Sequence, residues 1–409
     1  MGGAKVIGIE SVEDARRRGR KTIELRRGDI VTALGAESAE RLGIRLLRGP
    51  IERAPAPEAP GHLVLQRALW RRSAKWPGFE NRSQSESPFG DAARASESAR
   101  RFAKLALVGI GGVGANIAQV AAMRAMAHEM ALIDITPGLA ASLALDLEHA
   151  KGMDCGAAGS FVGGQSLDLL DGADVVVMSA GRSRRPGMER TELAAVNARI
   201  VRQVAAAIRT LAPQAVVIVI TNPLDEMTCE MLQATGFERG RVLGMAGTLD
   251  SARLRQALAQ AARVETGDVE AIALGSHGQE MIPIVSLARI RGQNLEAFLS
   301  AAEIESGIEK AVKGGGEIVA LKKTGSATIA PAFATIEILD HLRGMRHGAV
   351  PVSVMLAGEY GIEGVTVGVP AHLGSDGLVE IVELPLADRE LEGLRAAAEA
   401  IRRRCEGGS

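Results

Sequence analysis

Arg184, Arg185 and Arg190 crowd the segment SRRPGMER, Ser183 to Arg190, directly after the apolar run Val175 to Met178. Guanidiniums clustered on a loop suit a small anion, because each presents a planar fork of donors that matches a carboxylate. Pro186 and Gly187 break any helix there, so the spacing predicts a loop tethered at both ends and mobile between them. Further along, GSHGQEMIP sets His277 between Gly275 and Gly278 after the apolar run AIAL, a placement that leaves the ring clear at a strand end. GTLDSARLR brings Asp250 and Arg253 three residues apart at the opening of a helix, on roughly one face. Asp250 can hold the His277 ring in one tautomer and favour its charged form, and an imidazole of ordinary pKa about 6.5 then works near neutral pH. Arg253 can grip a carboxylate with two parallel hydrogen bonds, and Asn222 in TNPLDEM can orient a substrate oxygen. Taken singly, each has an ordinary reading: a solvated basic loop, an exposed histidine, a helix cap.

The elements that must position these groups are legible as well. KLALVGIGGVGANIAQVAAMRAMA, Lys104 to Ala127, reads as strand, glycine turn and helix, with Gly109, Gly111 and Gly114 filling G-x-G-x-x-G. The first glycine permits a tight turn, the second leaves room for a pyrophosphate, and the third lets the helix pack closely, its free amides facing the diphosphate. MALIDI follows as a second apolar strand ending in Asp134, 20 residues after Gly114. A carboxylate there accepts hydrogen bonds from ribose hydroxyls and repels a 2′-phosphate, which favours NAD over NADP and leaves FAD to be excluded by the downstream chemistry. The repetition continues through TPGLAASLALDLEHAKG, the strand Val175 to Met178, a helix with Leu193, Val196, Ile200 and Val204 at helical spacing, and the apolar strand within Pro213 to Pro223. Strand and helix alternating in this way predict an α/β fold, a Rossmann-type doubly wound parallel sheet with ligands at its carboxyl edge. Beyond it AIALGS, PIVSLARI, VSVMLAG, VTVGVP and GLVEIVEL read as strands and SATIAPAFATIEILDHLR as a core helix, an α+β substrate and catalytic domain. The three glycines of KAVKGGGEIVALKKTG read either as a kinked helix near the pocket or as a plain loop, and Leu391, Leu394, Ala398 and Ile401 stripe a terminal helix.

Composition narrows the class. The chain has 409 residues, 46% of them hydrophobic, and a formal net charge of -1. Residues 1 to 100 hold 19 Lys+Arg against 13 Asp+Glu and the rest 29 against 36, so the main body is mildly acidic and a poor match for nucleic acid. No apolar run approaches a membrane span and the amino terminus has no secretory pattern, so a cytoplasmic protein is expected. Cys155, Cys229 and Cys405 are far apart in sequence and carry no metal-ligand spacing; they read as free thiols, and no metal is expected. The expected organisation is a mostly flexible extension over residues 1–100, a dinucleotide domain over 101–246 and the second domain over 247–405. Within the extension, PIERAPAPEAPG is a stiff linker and NRSQSESPFGDAARASESAR is Ser-rich, while Glu13 onward suffices for a helix or two and a short extended piece.

Eight ordered segments, VGIGGVG, LIDI, AGRSRRPGMERTELAAVN, VITNPLDEMT, GMAGTLDSARLR, GSHGQEMIP, GEIVALKKTGSATIAPA and GEYGIEGVTVGVPAHLG, resemble the malate and lactate dehydrogenase family over residues 102 to 405. The resemblance implies hydride exchange between NAD and a small 2-hydroxy or 2-oxo acid, with His277 as proton donor and acceptor, Asp250 its partner, Arg253 the clamp on the C1 carboxylate and Arg190 the polariser of the carbonyl. Arg184 falls where malate enzymes of this family have Arg and lactate enzymes typically Gln, so a dicarboxylic substrate is expected and lactate is the enzymatic alternative. The implied cofactor contacts are Gly109, Ile110, Gly111, Gly112, Val113, Gly114, Asp134, Asn197, Ile220 and Asn222, with Ser326 lining the substrate pocket. Gln279 and Ser183 depart from the family, which usually has Asp and, in malate enzymes of this type, Pro. A homodimer or homotetramer is implied. Separately, GDIVTALGAESAERLGIRL, Gly28 to Leu46, resembles a short segment of bacterial microcompartment cargo proteins, making a shell or cargo partner one reading of the extension and a regulatory or tolerated addition the other. A catalytically silent scaffold with this fold is the alternative of another class.

Overall fold

The computed structural model describes residues 6–25, 30–48, 101–153, 156–182, 190–278, 280–323 and 325–406. They fall into two compact units, one holding the described residues up to 48 and the other those from 101 onward. In the first unit, strand Val6–Ile7 (β1), helix Ile9–Arg17 (α1) and strand Thr22–Leu25 (β2) are followed by strand Ile30–Val31 (β3), helix Ala33–Arg41 (α2) and strand Arg45–Arg48 (β4). β1 pairs in parallel with β3, and β2 in parallel with β4. Where the sequence suggested a helix or two and a short extended piece, the described residues hold two helices and four short strands. Few apolar residues suffice because they converge: Ile7, Val12, Ala15, Leu25, Ala39 and Ile44 form a small core of their own. Gly19 and Gly43, both at positive φ, end the turns after the two helices.

In the second unit the chain runs through strand Phe102–Val108 (β5), helix Gly112–Met123 (α3), strand Ala127–Ile133 (β6), helix Leu139–Ala150 (α4), strand Ser160–Gly164 (β7), strand Val175–Met178 (β8), helix Arg190–Leu211 (α5), strand Val216–Val219 (β9), helix Leu224–Thr235 (α6) and strand Val242–Gly244 (β10). These six strands lie side by side in the order β7-β6-β5-β8-β9-β10, every pair parallel. The order reverses between β5 and β8, and the crevice at such a switch is where ligands bind in doubly wound sheets. β8 and β9, VVVM and VVIV, are buried along their whole length, as strands covered by helices on both faces must be. One expectation shifts: the α5 face in the core runs through Leu193, Asn197, Val201, Val204 and Ile208, with Val196 and Ile200 only half-buried, so a polar residue sits on the buried stripe.

Next come helix Gly247–Ala262 (α7), strands Val269–Glu270 (β11), Ala273–Gly275 (β12), Met281–Pro283 (β13), Arg289–Ile290 (β14) and Gln293–Asn294 (β15), helices Ala301–Lys322 (α8) and Ile329–Leu342 (α9), strands Val350–Ala357 (β16), Glu363–Gly374 (β17) and Gly377–Ile381 (β18), and helix Asp388–Glu406 (α10). β10 pairs antiparallel with β16, so the parallel sheet continues into β16, β17, β12, β13 and β18 as one sheet of eleven strands among the described residues. The stretch PIVSLARI is not one strand: β13 ends at Pro283, and Arg289–Ile290 pairs in a separate small sheet with β11 and β15. The triple glycine lies within α8, which continues through it, and α10 buries Leu394, Ala397, Ala398 and Ile401 against the core. Cys229 on α6 and Cys405 on α10, 176 positions apart, have thiols in hydrogen-bonding contact and are not disulfide-bonded, while Cys155 lies outside the described residues.

Candidate active site

The glycine turn does what its spacing predicts. Gly109 has φ +94°, and a Cβ there would sit 2.4 Å from the Ala180 backbone nitrogen; one on Gly114 would sit 1.9 Å from the Gly109 carbonyl oxygen. The space in front of Gly111 is open, and no side chain caps the amino end of α3, whose amides stay available to an anion. Asp134, just past β6, accepts hydrogen bonds from Ile110 N–H at 2.7 Å and Thr136 N–H at 2.8 Å, which ties the second strand to the glycine turn and leaves each oxygen further acceptor capacity. A cavity of about 1270 Å³ opens here, lined among others by Gly111, Gly112, Val113, Gly114, Ile220, Asn222, Arg253, His277 and Ser326. These features fit a dinucleotide.

Asn197 is fully buried on α5. Its Oδ1 accepts from Arg182 N–H at 2.8 Å, and its Nδ2 donates to the carbonyls of Arg182 at 3.2 Å and Asn222 at 2.6 Å. With both amide protons engaged and no accessible surface, Asn197 joins the loops after β8 and β9 instead of presenting itself to a ligand. Asn222 and Ile220 face the cavity at the end of β9, and Ser326 lies exposed at its rim. Arg184, with Ser183 and Arg185, and Gln279 fall outside the described residues; Arg190 is the first residue of α5.

His277 stands on the turn joining β12 to β13, which are antiparallel and in register from Gly275 opposite Met281. Its Nδ1 lies 2.9 Å from Oδ2 of Asp250. Asp250 occupies the first turn of α7 and is 3% exposed, and its Oδ1 accepts from Nη1 of Arg253 at 3.2 Å. The helix cap is Ala246, so Asp250 is turned into the site and is not spent on its own helix end. Burial works against a charged His277 ring, but the Asp250 charge and hydrogen bond, aided by Asp225 and opposed by Arg253, outweigh it and raise the His277 pKa above its ordinary value. Arg253 reaches along α8, where a Cβ on Gly315 would approach its Nη2 at 3.4 Å; the mid-helix glycine makes room for the guanidinium.

Sequence reasoning missed the group behind the histidine. Asp225, 2% exposed on α6, accepts from the His277 backbone N–H and from Ser276 Oγ, both at 3.0 Å, and from Ser353 Oγ at 2.8 Å. Burial pushes its carboxyl pKa up, and the His277 and Ser353 bonds pull it back. The signal was present in TNPLDEM, where a carboxylate follows an apolar strand at the same sheet edge as Asn222, but its partners lie 51, 52 and 128 residues away. Glu226, Glu280, Arg403 and Arg404 also line the cavity and were not singled out.

Comparison with known proteins gives the family of the fold. Residues 103–244 match the lactate/malate dehydrogenase NAD binding domain, and residues 247–409 the lactate/malate dehydrogenase alpha/beta C-terminal domain. Malate dehydrogenase of Nostoc punctiforme is 41% identical over 303 residues, covering 74% of this chain and 92% of that protein, and malate dehydrogenase 1 of Anaeromyxobacter dehalogenans is 39% identical over 303 residues, covering 73% and 96%. The crystal structure of Cryptosporidium parvum malate dehydrogenase superposes with a TM-score of 0.72 at 35% identity, covering 75% of this chain and 99% of that one. The lactate dehydrogenase of the same organism, complexed with lactic acid and NAD, gives 0.72 at 32% identity, covering 76% and 98%. Its glycine turn, its NAD-binding domain and its second domain make this chain a member of the lactate/malate dehydrogenase family, an oxidoreductase family whose cofactor here is NAD.

Proposed function

We propose that the protein is an NAD-dependent malate dehydrogenase, interconverting (S)-malate and oxaloacetate. The observation that carries this reading is the His277–Asp250–Arg253 constellation on the cavity next to the glycine turn, in a chain about 40% identical to proteins named malate dehydrogenase. NAD, when bound, supplies the hydride acceptor. In the oxidative direction His277, held in one tautomer by Asp250, takes the hydroxyl proton at Nε2; in the reductive direction it returns the proton to the carbonyl oxygen. The Asp250 carboxylate stabilises the imidazolium formed between these steps. Arg253 takes the C1 carboxylate, Arg190 polarises the carbonyl, Asn222 orients the substrate oxygen, and Ser326 lines the pocket. Arg184 pairs the second carboxylate, whose desolvation without a partner would cost several kcal/mol. The glycine turn from Gly109 through Gly114 and Asp134 hold the diphosphate and ribose. In this reading residues 101–246 are the NAD-binding domain and 247–405 the substrate domain, the enzyme works as a homodimer or homotetramer, and residues 1–100 are either a docking element for a microcompartment shell or cargo or a regulatory extension.

NADH oxidation with oxaloacetate, then pyruvate and bulkier 2-oxo acids, tests the assignment. Turnover with oxaloacetate well above pyruvate is expected. A preference for pyruvate would move the assignment to lactate dehydrogenase, since the fold superposes on a malate and a lactate dehydrogenase with the same TM-score and does not separate them. No turnover with any 2-oxo acid would leave a silent scaffold.

A further inference from the structure

The carboxyl end of α10 brings a polar cluster to the cavity that none of the roles above uses. Arg404, its side chain 31% exposed, donates from Nε to Glu226, from Nη1 to both carboxylate oxygens of Glu280 at 3.1 and 2.8 Å, and from Nη2 to Ser276 Oγ at 3.1 Å. The Ser276 hydroxyl in turn donates a hydrogen bond to Asp225 Oδ2, the same oxygen that accepts from the His277 backbone N–H. One guanidinium therefore grips the histidine turn on both sides of the ring, one residue before it and three after. It also ties that turn to α6, which carries Asp225 and Glu226.

The turn needs such a hold. Gly275 and Gly278 flank His277 at φ +85° and +110°, and glycines at positive φ make a backbone easy to bend. Asp250 restrains the ring from its Nδ1 side but does nothing to fix the backbone that carries it. Charge-assisted hydrogen bonds from a planar fork are directional as well as strong, so they suit that task. Charge is the second consequence. The ionisable groups that act on His277 or share its cavity among the described residues are Asp250 and Arg253 from α7, Asp225 and Glu226 from α6, Glu280 on its own turn, Arg182 after β8, Lys313, Glu317 and Lys322 from α8, and Arg403 and Arg404 from α10. Arg404 is the counter-charge of Glu226 and Glu280, whereas the hydrogen bond to the ring itself comes from Asp250.

We propose that Arg404 is a positioning residue for the proton-transferring histidine: by holding Ser276 and Glu280 together it sets both the place and the charge environment of the His277 ring. This rests on the reading of His277 as the acid/base.

The experiment compares the full-length protein with R404Q, R404K, E280Q and H277N. It measures kcat and kcat/KM for oxaloacetate across pH, NADH affinity by fluorescence, and thermal melting. R404Q is expected to lower kcat about tenfold with oxaloacetate KM and NADH affinity changed less than about threefold. It should also move the alkaline limb of the reductive profile up by roughly half a pH unit, since two freed carboxylates favour the imidazolium. R404K should recover part of both effects, and E280Q should lower kcat without the upward movement, because it removes the negative charge and one of the two oxygens that accept from Arg404. Wild-type kcat and an unmoved limb in a folded R404Q would overturn the proposal, as would a loss seen only in melting temperature with no recovery in R404K. If R404Q does not fold, unchanged kcat in both R404K and E280Q overturns it instead. H277N separates the two ideas: turnover retained in H277N sinks the acid/base reading, whereas an inactive H277N beside an unaffected R404Q sinks only the role of Arg404.

Discussion

At the scale of the residue, the decisive contact is between His277 and Asp250, 2.9 Å apart with Asp250 almost wholly buried. Because the pKa of His277 is raised, the imidazolium persists to higher pH than for a free imidazole. With His277 as the proposed acid/base, reduction of a 2-oxo acid would need that imidazolium, so its rate should fall as pH rises through the raised value, while oxidation of the hydroxy acid should rise through it. Asp250→Asn removes the charge that raises the pKa and should move both limbs to lower pH, lowering kcat on the order of a hundredfold or more; limbs that stay in place would show that another group titrates. Stability follows the same sign. The pair stabilises the fold below the unfolded histidine pKa, and this contribution is lost as pH rises through the folded one. Substrate choice also belongs to this scale. Arg184→Gln should cut kcat/KM for oxaloacetate by far more than that for pyruvate, because only the dicarboxylate leaves a charge unpaired; equal losses would refute the role. His277, Asp250 and Arg253 were legible in the sequence because each carries its own local mark, a histidine at a glycine turn or a carboxylate and an arginine one helical turn apart. Asp225 and Arg404 were not, since each is an ordinary charged residue on a helix until the fold brings it under the histidine turn.

At the scale of the element, α8 shows how a helix can be shaped for a neighbour. Its three glycines favour a break by propensity, yet it runs unbroken, started by a capping box in which Ser300 and Glu303 bond each other's backbone amides. The sequence left kink and loop both open, because propensity alone does not weigh the packing of α8 on α7. Within the triplet the positions differ. A Cβ on Gly316 meets nothing within 4 Å, whereas one on Gly315 reaches the Arg253 guanidinium. Gly316→Ala should therefore stabilise the protein by about 1 kcal/mol in denaturant unfolding. Gly315→Ala should gain less and raise the KM for the 2-oxo acid, through displacement of Arg253; equal KM values in the two variants would count against the close approach. The parallel strands were readable from their unbroken apolar runs. The α5 stripe was displaced because Asn197, polar by type, is buried by its three hydrogen bonds to loop backbone, and a hydrophobic period cannot register that.

At the scale of the whole molecule, residues 103–409 match the two family domains, and the relatives are covered over 92% and 99% of their own lengths without the first unit. Deleting residues 1–100 should leave kcat/KM for oxaloacetate within about threefold of the full chain; a larger loss would make the extension a regulator. Unchanged activity, oligomeric state by light scattering and co-sedimentation with shell material would together remove docking as its role. Acid stability should be set partly by His341, buried on α9 with Nδ1 unpartnered and its pKa lowered to about 4 by burial. A lowered pKa means that stability present above the unfolded value of about 6.5 is lost as pH falls toward 4, by about 3 kcal/mol at the limit. His341→Gln should flatten that part of the stability profile, and an unchanged slope would contradict it. The sequence by itself determined the alternation of strand and helix, the dinucleotide turn and the residue types proposed for proton transfer, because each is written in short-range spacing. Only the tertiary structure decided which groups meet. The antiparallel return of β16 and β17 brings Ser353 and Thr366 onto Asp225, and the packing of α10 on α6 brings Arg404 to the histidine turn and Cys405 to Cys229. Such contacts span more than a hundred positions, and no local pattern records a partner that only the folding of the whole sheet supplies.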